Sequence, residues 1–251
     1  MDNSALRKFV EAKLYDDQSP ENIAKRIKKH EKNLPSISKD SIYRYIKSVY
    51  GRRIEYHRNK RKNRRWSRRR RSKEKLLNRK FIDERPEIIG KRSRIGDAEA
   101  DFLVSGKTGK GVILNVSDRK SRAPFLEQIL NPKLDNVSLA FLKIKKRFPE
   151  LKTITTDNDL LLQHHKELEK ILNVAIYFCH PYSSWEKGTV ENINGRIRKD
   201  IPKGSDISRY SKKFIRSIEN KLQRRIMGCL NYLTPYEVVQ KIRKSKKAPK
   251  R

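Results

Sequence analysis

One stretch of this chain cannot belong to any hydrophobic core. From Arg58 to Arg71 there are ten Lys or Arg and no acid. The wider run, HRNKRKNRRWSRRRRSKEK from His57 to Lys75, carries too much like charge to bury itself, so it is expected to be disordered or extended until a partner neutralises it. The imbalance extends to the whole chain, with Lys+Arg 63 against Asp+Glu 29 and a formal net charge of +34. Such an excess asks for a polyanion, and nucleic acid is the default. Arg64, Arg65, Arg68 and Arg69 are the expected phosphate contacts of the run, and Trp66 among them could stack on a base or pack on the adjoining domain. An anionic membrane is the rival partner, but no segment approaches the roughly 18 consecutive apolar residues of a spanning helix. Met1 to Tyr15 lacks the apolar stretch of a secretory signal. Cys179 and Cys229, with no CxxC spacing, argue against a zinc module and fit a reducing cytoplasm.

Composition and periodicity divide the 251 residues into segments 1–50, 51–94, 95–204 and 205–251. The first reads as three short helices, an all-α helix-turn-helix module. Leu6, Phe9, Val10 and Leu14 share one face of the first helix. Ser19-Pro20 starts the second, whose apolar side is Ile23, Ala24 and Ile27. Ser38 caps the third, which is expected to bury Ile42, Ile46 and Val49. Its outer face shows Lys39, Tyr43, Arg44 and Lys47, a set suited to DNA, although a small bundle that binds protein has the same pattern. Segment 51–94 is the basic linker.

The third segment alternates strand and helix, which predicts an α/β domain with a mixed sheet. Phe102–Val104 and Val112–Val116 read as strands around a Gly-rich turn. A third strand is expected from about Arg122 to Leu126. Leu139, Leu142, Ile144 and Phe148 mark a helix. Thr153–Thr156 is a β-branched strand ending at Asp157, and one helix is expected from there to about Leu172. Ala175–Phe178 is the last strand, before a helix that carries Glu191. In the fourth segment Phe214, Ile218, Leu222 and Ile226 stand at helical spacing, ahead of a second basic tail.

Three carboxylates stand out in a chain that otherwise seeks phosphate. Asp101 opens the first strand, Asp157 ends another, and Glu191 lies on the following helix. Acids at strand ends of an α/β sheet face the crevice where ligands bind. Hard carboxylate oxygens suit Mg²⁺, and two such ions about 4 Å apart can activate an attacking oxygen and stabilise a leaving one. Each acid also has an ordinary use. Asp157 can cap the next helix. Glu191 can pair with Lys187 or Arg198. Asp101 has Asp97 and Glu99 as neighbours of the same type. Spacing alone does not decide among these readings.

The segments GDAEADFLV, VSDRKSR, TTDND and HPYSSWEKGTVENINGRIRKDIPKGSDIS together resemble the insertion sequence 30 family of DDE transposases. The last two are the most specific, with 33 residues between Asp157 and Glu191. The resemblance runs from about Ser19, in SPENIA and SIYRYI, to about Glu237, in TPYEV. It implies an RNase H-like core with Asp101, Asp157 and Glu191 as catalytic metal ligands. It implies Mg²⁺, with Mn²⁺ as a substitute and two ions when DNA is bound. It implies nicking at terminal inverted repeats of double-stranded DNA and joining of the 3′ ends to target DNA. It further implies a homo-oligomer that holds two ends, and a prokaryotic, nucleoid-associated, cytoplasmic protein. On the Glu191 helix, Val190, Ile193 and Ile197 form the apolar face. Lys187, Asn194 and Arg198 are expected on the accessible side with Glu191, beside the metal, as DNA contacts.

The chain departs from the family pattern in places. Asp159 stands where the family usually has Gly, and Asp97-Ala98-Glu99-Ala100-Asp101 replaces a segment with Trp and Gly. A further N-terminal helix-turn-helix of family members is expected to be missing. These departures keep two other readings open: a truncated or domesticated DNA-binding derivative that acts as a repressor without catalysis, and a nuclease acting on RNA–DNA hybrids. His164 and His165 point about 100° apart on a helix and are not expected to share a metal. Cys179 is expected to be buried at a strand end.

Overall fold

The computed structural model describes residues 3–60, 79–180 and 183–247. Arg64, Arg65, Trp66, Arg68 and Arg69 lie outside the described residues, as do Pro181 and Tyr182 of the sequence-motif loop. Contacts divide the chain into two compact units, Met1–Arg71 with Arg224–Arg251, and Ser72–Gln223.

The first unit begins with α1 (Ser4–Tyr15), α2 (Pro20–His30), α3 (Lys39–Lys47) and α4 (Arg52–Lys60). Short polar side chains start the first three. Asn3 Oδ1 accepts from the Leu6 N–H at 2.8 Å, Ser19 Oγ from Asn22 at 3.3 Å and Ser38 Oγ from Ser41 at 3.1 Å. The core is Leu6, Val10, Leu14, Ile23, Ile27, Ile42, Ile46 and Ile54. Val49 is not part of it: α3 ends at Lys47, a single 3₁₀ turn follows, and Val49 is 70 % exposed. Ile54 of α4 closes the core there. The turn demands Gly51, where a Cβ would stand 2.1 Å from the Tyr45 carbonyl oxygen. His57 and Arg58, expected in the extended run, are instead helical in α4, and Arg58 donates to the Gln18 carbonyl at 2.9 Å.

The second unit contains the one-turn α5 (Glu87–Gly90) and five strands: β1 (Asp97–Val104), β2 (Val112–Asp118), β3 (Pro124–Ile129), β4 (Thr153–Thr156) and β5 (Ala175–Phe178). Its longer helices are α6 (Leu134–Arg147), α7 (His165–Leu172), α8 (Gly188–Asp200) and α9 (Lys212–Gln223). The sheet order is β3-β2-β1-β4-β5. The first three strands pair antiparallel, and β1-β4 and β4-β5 pair parallel. The fold is a mixed α/β core, in line with the alternation of strand and helix in the sequence.

Alternation along β1 sorts its side chains between two faces. Phe102 meets Phe141 of α6 edge to face, and Phe125 of β3 stacks on Phe148, so α6 covers one side. Leu103, Ile113 and Leu126 pack with Ile193, Ile197, Ile215 and Ile218, so α8 and α9 cover the other. Asp97, Glu99 and Asp101 are in phase with Leu103 and look toward α8.

Several boundaries differ from expectation. β1 starts at Asp97, so Asp101 sits inside the strand; Asp97 and Glu99 are buried with partners and Asp101 is partly buried, which an alternating pattern of hydrophobicity cannot show. β3 lies at Pro124–Ile129, further on than expected. In α6 the buried positions are Val137, Ala140, Phe141 and Ile144, while Leu139 and Leu142 are exposed. The single helix expected after Asp157 is a 3₁₀ turn at Leu160–Leu162 followed by α7. Asp159, not Asp157, caps that turn, accepting from the Leu161 N–H at 3.0 Å.

The last segment is shared between the units. α9 lies on the sheet, with Gln223 donating to the Pro124 carbonyl at 2.8 Å. Ile226 belongs to the first unit: its N–H donates to Gln18 at 3.2 Å, and its carbonyl accepts from Asn22 at 3.2 Å. α10 (Pro235–Lys247) follows there. Thr234 and Glu237 cap its start reciprocally, at 2.7 and 3.2 Å. Glu237 also takes both guanidinium nitrogens of Arg26 on α2, at 2.7 and 2.8 Å.

Candidate active site

Register brings two of the three acids together. Glu99 of β1 lies opposite Thr155 of β4 in the parallel ladder. Two residues further along, on the same face, come Asp101 and Asp157. A single cation joins them: Lys187 Nζ stands 3.3 Å from Asp101 Oδ1 and 3.1 Å from Asp157 Oδ2. Lys187, in the 3₁₀ turn that leads into α8, is only 4 % exposed.

The other partners of Asp101 form a chain of side chains. Asn194 Nδ2 donates to Asp101 Oδ2 at 2.5 Å, and Asn115 Nδ2 donates to Asn194 Oδ1 at 2.7 Å. Ser117 Oγ in turn donates to Asn115 Oδ1 at 2.8 Å. Asn115 is the direct cross-strand partner of Asp101. Burial pushes the Asp101 carboxyl up to about 6, against the pull of Lys187 and with the nearby charge of Asp157 adding to the rise. A buried carboxylate in that position gains from any added cation. Asp157 is half exposed, yet its Oδ1 is enclosed without a hydrogen-bond partner among the described residues.

Glu191 is exposed on α8, one turn beyond Lys187. Its pKa is raised, first by desolvation and then by Glu99 and Asp157, against the pull of Lys187. It lies within electrostatic reach of the pair but is not drawn into it. Among the described residues no three His, Cys, Asp or Glu side chains are already arranged as a metal cluster. Without a metal, clustered carboxylates repel, and here Lys187 holds only two of them together.

The donor set nevertheless fits a divalent ion. It offers hard oxygens, one enclosed carboxylate oxygen with no donor, and an ammonium standing where a cation joins two acids. Asp101, Asp157 and Glu191 are the residues that could hold it.

The rival acids have other partners. Glu99, wholly buried, accepts the Thr189 and Val190 N–H groups at 2.8 and 2.9 Å with one oxygen. It thereby caps the start of α8, where a negative charge is favoured. Arg119 Nε lies 3.1 Å from its other oxygen, misaligned for a hydrogen bond. Asp97 is bound by Arg94 at 2.9 Å and by Thr153 Oγ1 at 2.8 Å. Glu99 thus sets the position of the helix that presents Glu191, a role with no signal in the sequence beyond its two-residue spacing from Asp101.

Lys187, Asn194 and Arg198 do share a side of α8 with Glu191, but of the four only Glu191 is exposed, and the other three are turned to β1. Lys187 and Asn194 are engaged by Asp101, and Arg198 donates to the Val104 carbonyl at 3.0 Å. Packing of Val190, Ile193 and Ile197 into the core seats α8 so low that its neighbouring face meets the strand. One buried Arg198 nitrogen has no hydrogen bond among the described residues. In the first unit Lys39, Tyr43, Arg44 and Lys47 are all exposed on α3. His165 is buried edge-on against Phe178, and Cys179 is buried at the end of β5, its thiol pushed up to about 12 by burial.

No family model matches the chain. Against the transposase of insertion sequence element IS4351 from Bacteroides fragilis it is 37 % identical over 243 residues, 95 % of this chain and 74 % of that protein. Against transposase InsI of element IS30A from Escherichia coli K12 it is 32 % identical, over 95 % of this chain and 65 % of that protein. The solved catalytic core domain of BIV integrase aligns with a TM-score of 0.45 at 18 % identity, over 60 % of this chain and 97 % of that domain. On the sustained identity to the two transposases, the chain belongs to the insertion sequence 30 family of transposases.

Proposed function

We propose that this chain is a metal-dependent transposase that nicks the terminal inverted repeats of its element and joins the 3′ ends to target DNA. The observation that carries the reading is the pairing of Asp101 with Asp157 through one cation, at neighbouring parallel strands, with Glu191 one helical turn from that cation. Asp101, Asp157 and Glu191 would hold Mg²⁺, or Mn²⁺ in its place. A divalent ion there supplies Lewis acidity toward a phosphodiester oxygen.

The chain's own residues do the rest. The Ser117–Asn115–Asn194 relay holds Asp101 in one orientation. Glu99 anchors the helix that presents Glu191. The buried Arg198 nitrogen with no partner among the described residues is a candidate phosphate contact beside the acids, and Lys187 is a second once released from them. In the first unit Lys39, Tyr43, Arg44 and Lys47 of α3 are proposed to contact duplex DNA. The net charge of +34 supplies general attraction to the phosphate backbone. Assembly of a homo-oligomer on two DNA ends and a nucleoid location in the cytoplasm belong to the same proposal. Among the described residues no helix is long and apolar enough to cross a membrane.

The test is cleavage of end-labelled DNA carrying the element's own flanks, in Mg²⁺ and in Mn²⁺, by wild type and by Glu191→Gln. Nicking at an element end by wild type alone is expected. Equal nicking by both proteins would remove Glu191 from the site. Tight binding without nicking by either would leave the non-catalytic, repressor-like derivative.

A further inference from the structure

The acid pair already has a cation of its own, and the arrangement says how it is held. Asp101 has two carboxylate oxygens. Asn194 takes Oδ2 at 2.5 Å and Lys187 takes Oδ1 at 3.3 Å. Asp157 offers Oδ2 to the same ammonium at 3.1 Å, and its Oδ1 has no donor among the described residues. Each oxygen of Asp101 thus already has one partner and keeps a second lone pair, so an incoming divalent ion is opposed by the charge of a neighbour rather than by a filled site. Asn194 is neutral and is braced from behind by Asn115, at 2.7 Å. Lys187 is charged, carried on a flexible four-carbon stem, and is repelled by any cation that approaches the same oxygens.

We propose that Lys187 is the resident counter-ion of the Asp101–Asp157 pair, which holds the two carboxylates together in the metal-free protein and must give up their oxygens when a divalent ion binds. The proposal rests on the metal-site reading above and adds a competitor to it. Lys187 preserves the spacing that repulsion would otherwise open, at the cost of weaker metal affinity. It also sets aside a cation that, once displaced, lies beside the scissile phosphate's expected place.

Removing the ammonium should therefore tighten metal binding while weakening the metal-free fold. The measurement is Mn²⁺ binding by the full chain, read from the loss of the free-ion electron paramagnetic resonance signal, alongside thermal unfolding with and without Mn²⁺. Lys187→Met and Lys187→Gln should bind Mn²⁺ on the order of tenfold more tightly than wild type, because a like charge at contact distance is gone. Their metal-free melting points should fall, and Mn²⁺ should raise them by more than it raises that of wild type. Lys187→Arg, which retains the charge, should stay near wild type. Should Lys187→Met fail to fold, Lys187→Gln carries the test, since it retains much of the side chain's length and a donor. Unchanged or weaker affinity in a folded neutral variant overturns the counter-ion role while wild-type binding, abolished by Asp157→Asn, leaves the metal site standing. Absence of Mn²⁺ binding by wild type and by every Lys187 variant overturns the metal-site reading and the counter-ion with it.

Discussion

Asp101 is the residue on which the site turns, and its setting explains why an acid tolerates burial inside a strand. Of its two oxygens, one meets an amide and the other an ammonium, so neither is left without a partner. The amide matters for direction more than for strength. Asn194 is itself oriented by Asn115, so the Asp101 carboxylate has one preferred rotamer before any metal or DNA arrives. Asn194→Ala should therefore lower end-nicking by roughly 10- to 100-fold, the usual effect of losing a group that orients a metal ligand. The thermal midpoint should move little, because Asn194 is only partly buried and contributes no core volume. A nicking rate within about twofold of wild type would show that Asp101 needs no such support. Glu99 illustrates the opposite use of a carboxylate. It is two residues from Asp101 on the same face, yet its bonds to the start of α8 make it part of the scaffold.

At the scale of elements, α8 and α10 each act through one anchoring acid. α10 is fastened to α2 by the Arg26–Glu237 pair, and its pH behaviour has a definite sign. Burial works to raise the Glu237 carboxyl, but hydrogen bonds from Arg26 and from Thr234 outweigh it and hold the group at about 2, below its ordinary 4.5. A depressed carboxyl stabilises the fold above its unfolded pKa and loses that contribution as pH falls toward the folded value. Unfolding of the first unit, followed by circular dichroism, should thus become easier between about pH 5 and pH 2. Glu237→Gln should flatten that part of the profile. An identical slope in the variant would mean that other carboxylates control acid sensitivity there.

The same elements show what can be read from one sequence. The caps Ser19 and Ser38 and the apolar faces of α1 and α2 are local features, and they stand where periodicity puts them. β5 is equally local. The sequence shows β1 only from Asp101 onward, because the residues ahead of it include Asp97 and Glu99, buried through ion pairs and hydrogen bonds that hydrophobic alternation cannot reveal. Leu139 and Leu142 mark α6 as a helix, but leucine spacing alone does not say which stripe of it meets Phe102 and Phe125. The three acids of the proposed site were legible from family-like segments. Their relation was not, since it depends on the β1-β4 register and on the reach of Lys187 across it, both of which are long-range. The departure at Asp159 has a plain local use as the cap of the turn after Asp157.

For the whole molecule, charge and connectivity set the behaviour. The chain builds its first unit from both of its ends, Met1–Arg71 and Arg224–Arg251, and inserts the sheet domain between them. A net charge of +34 makes sequence-blind attraction to DNA unavoidable. Affinity for a duplex without element ends should fall by about 10³-fold or more between 50 and 200 mM salt, measured by fluorescence anisotropy. A shallow dependence would mean that few phosphates are contacted despite the charge. Attraction of that kind gathers DNA but cuts nothing, so the account stands on whether Asp101, Asp157 and Glu191 surround one ion. The most direct measurement replaces Mg²⁺ with Fe²⁺, adds ascorbate and peroxide, and maps where locally generated hydroxyl radicals break the chain. Breaks clustered near residues 101, 157 and 191, suppressed by excess Mg²⁺ and weakened in Glu191→Gln, are the expected result. Breaks elsewhere, or a pattern indifferent to Mg²⁺ and to Glu191, would contradict the site.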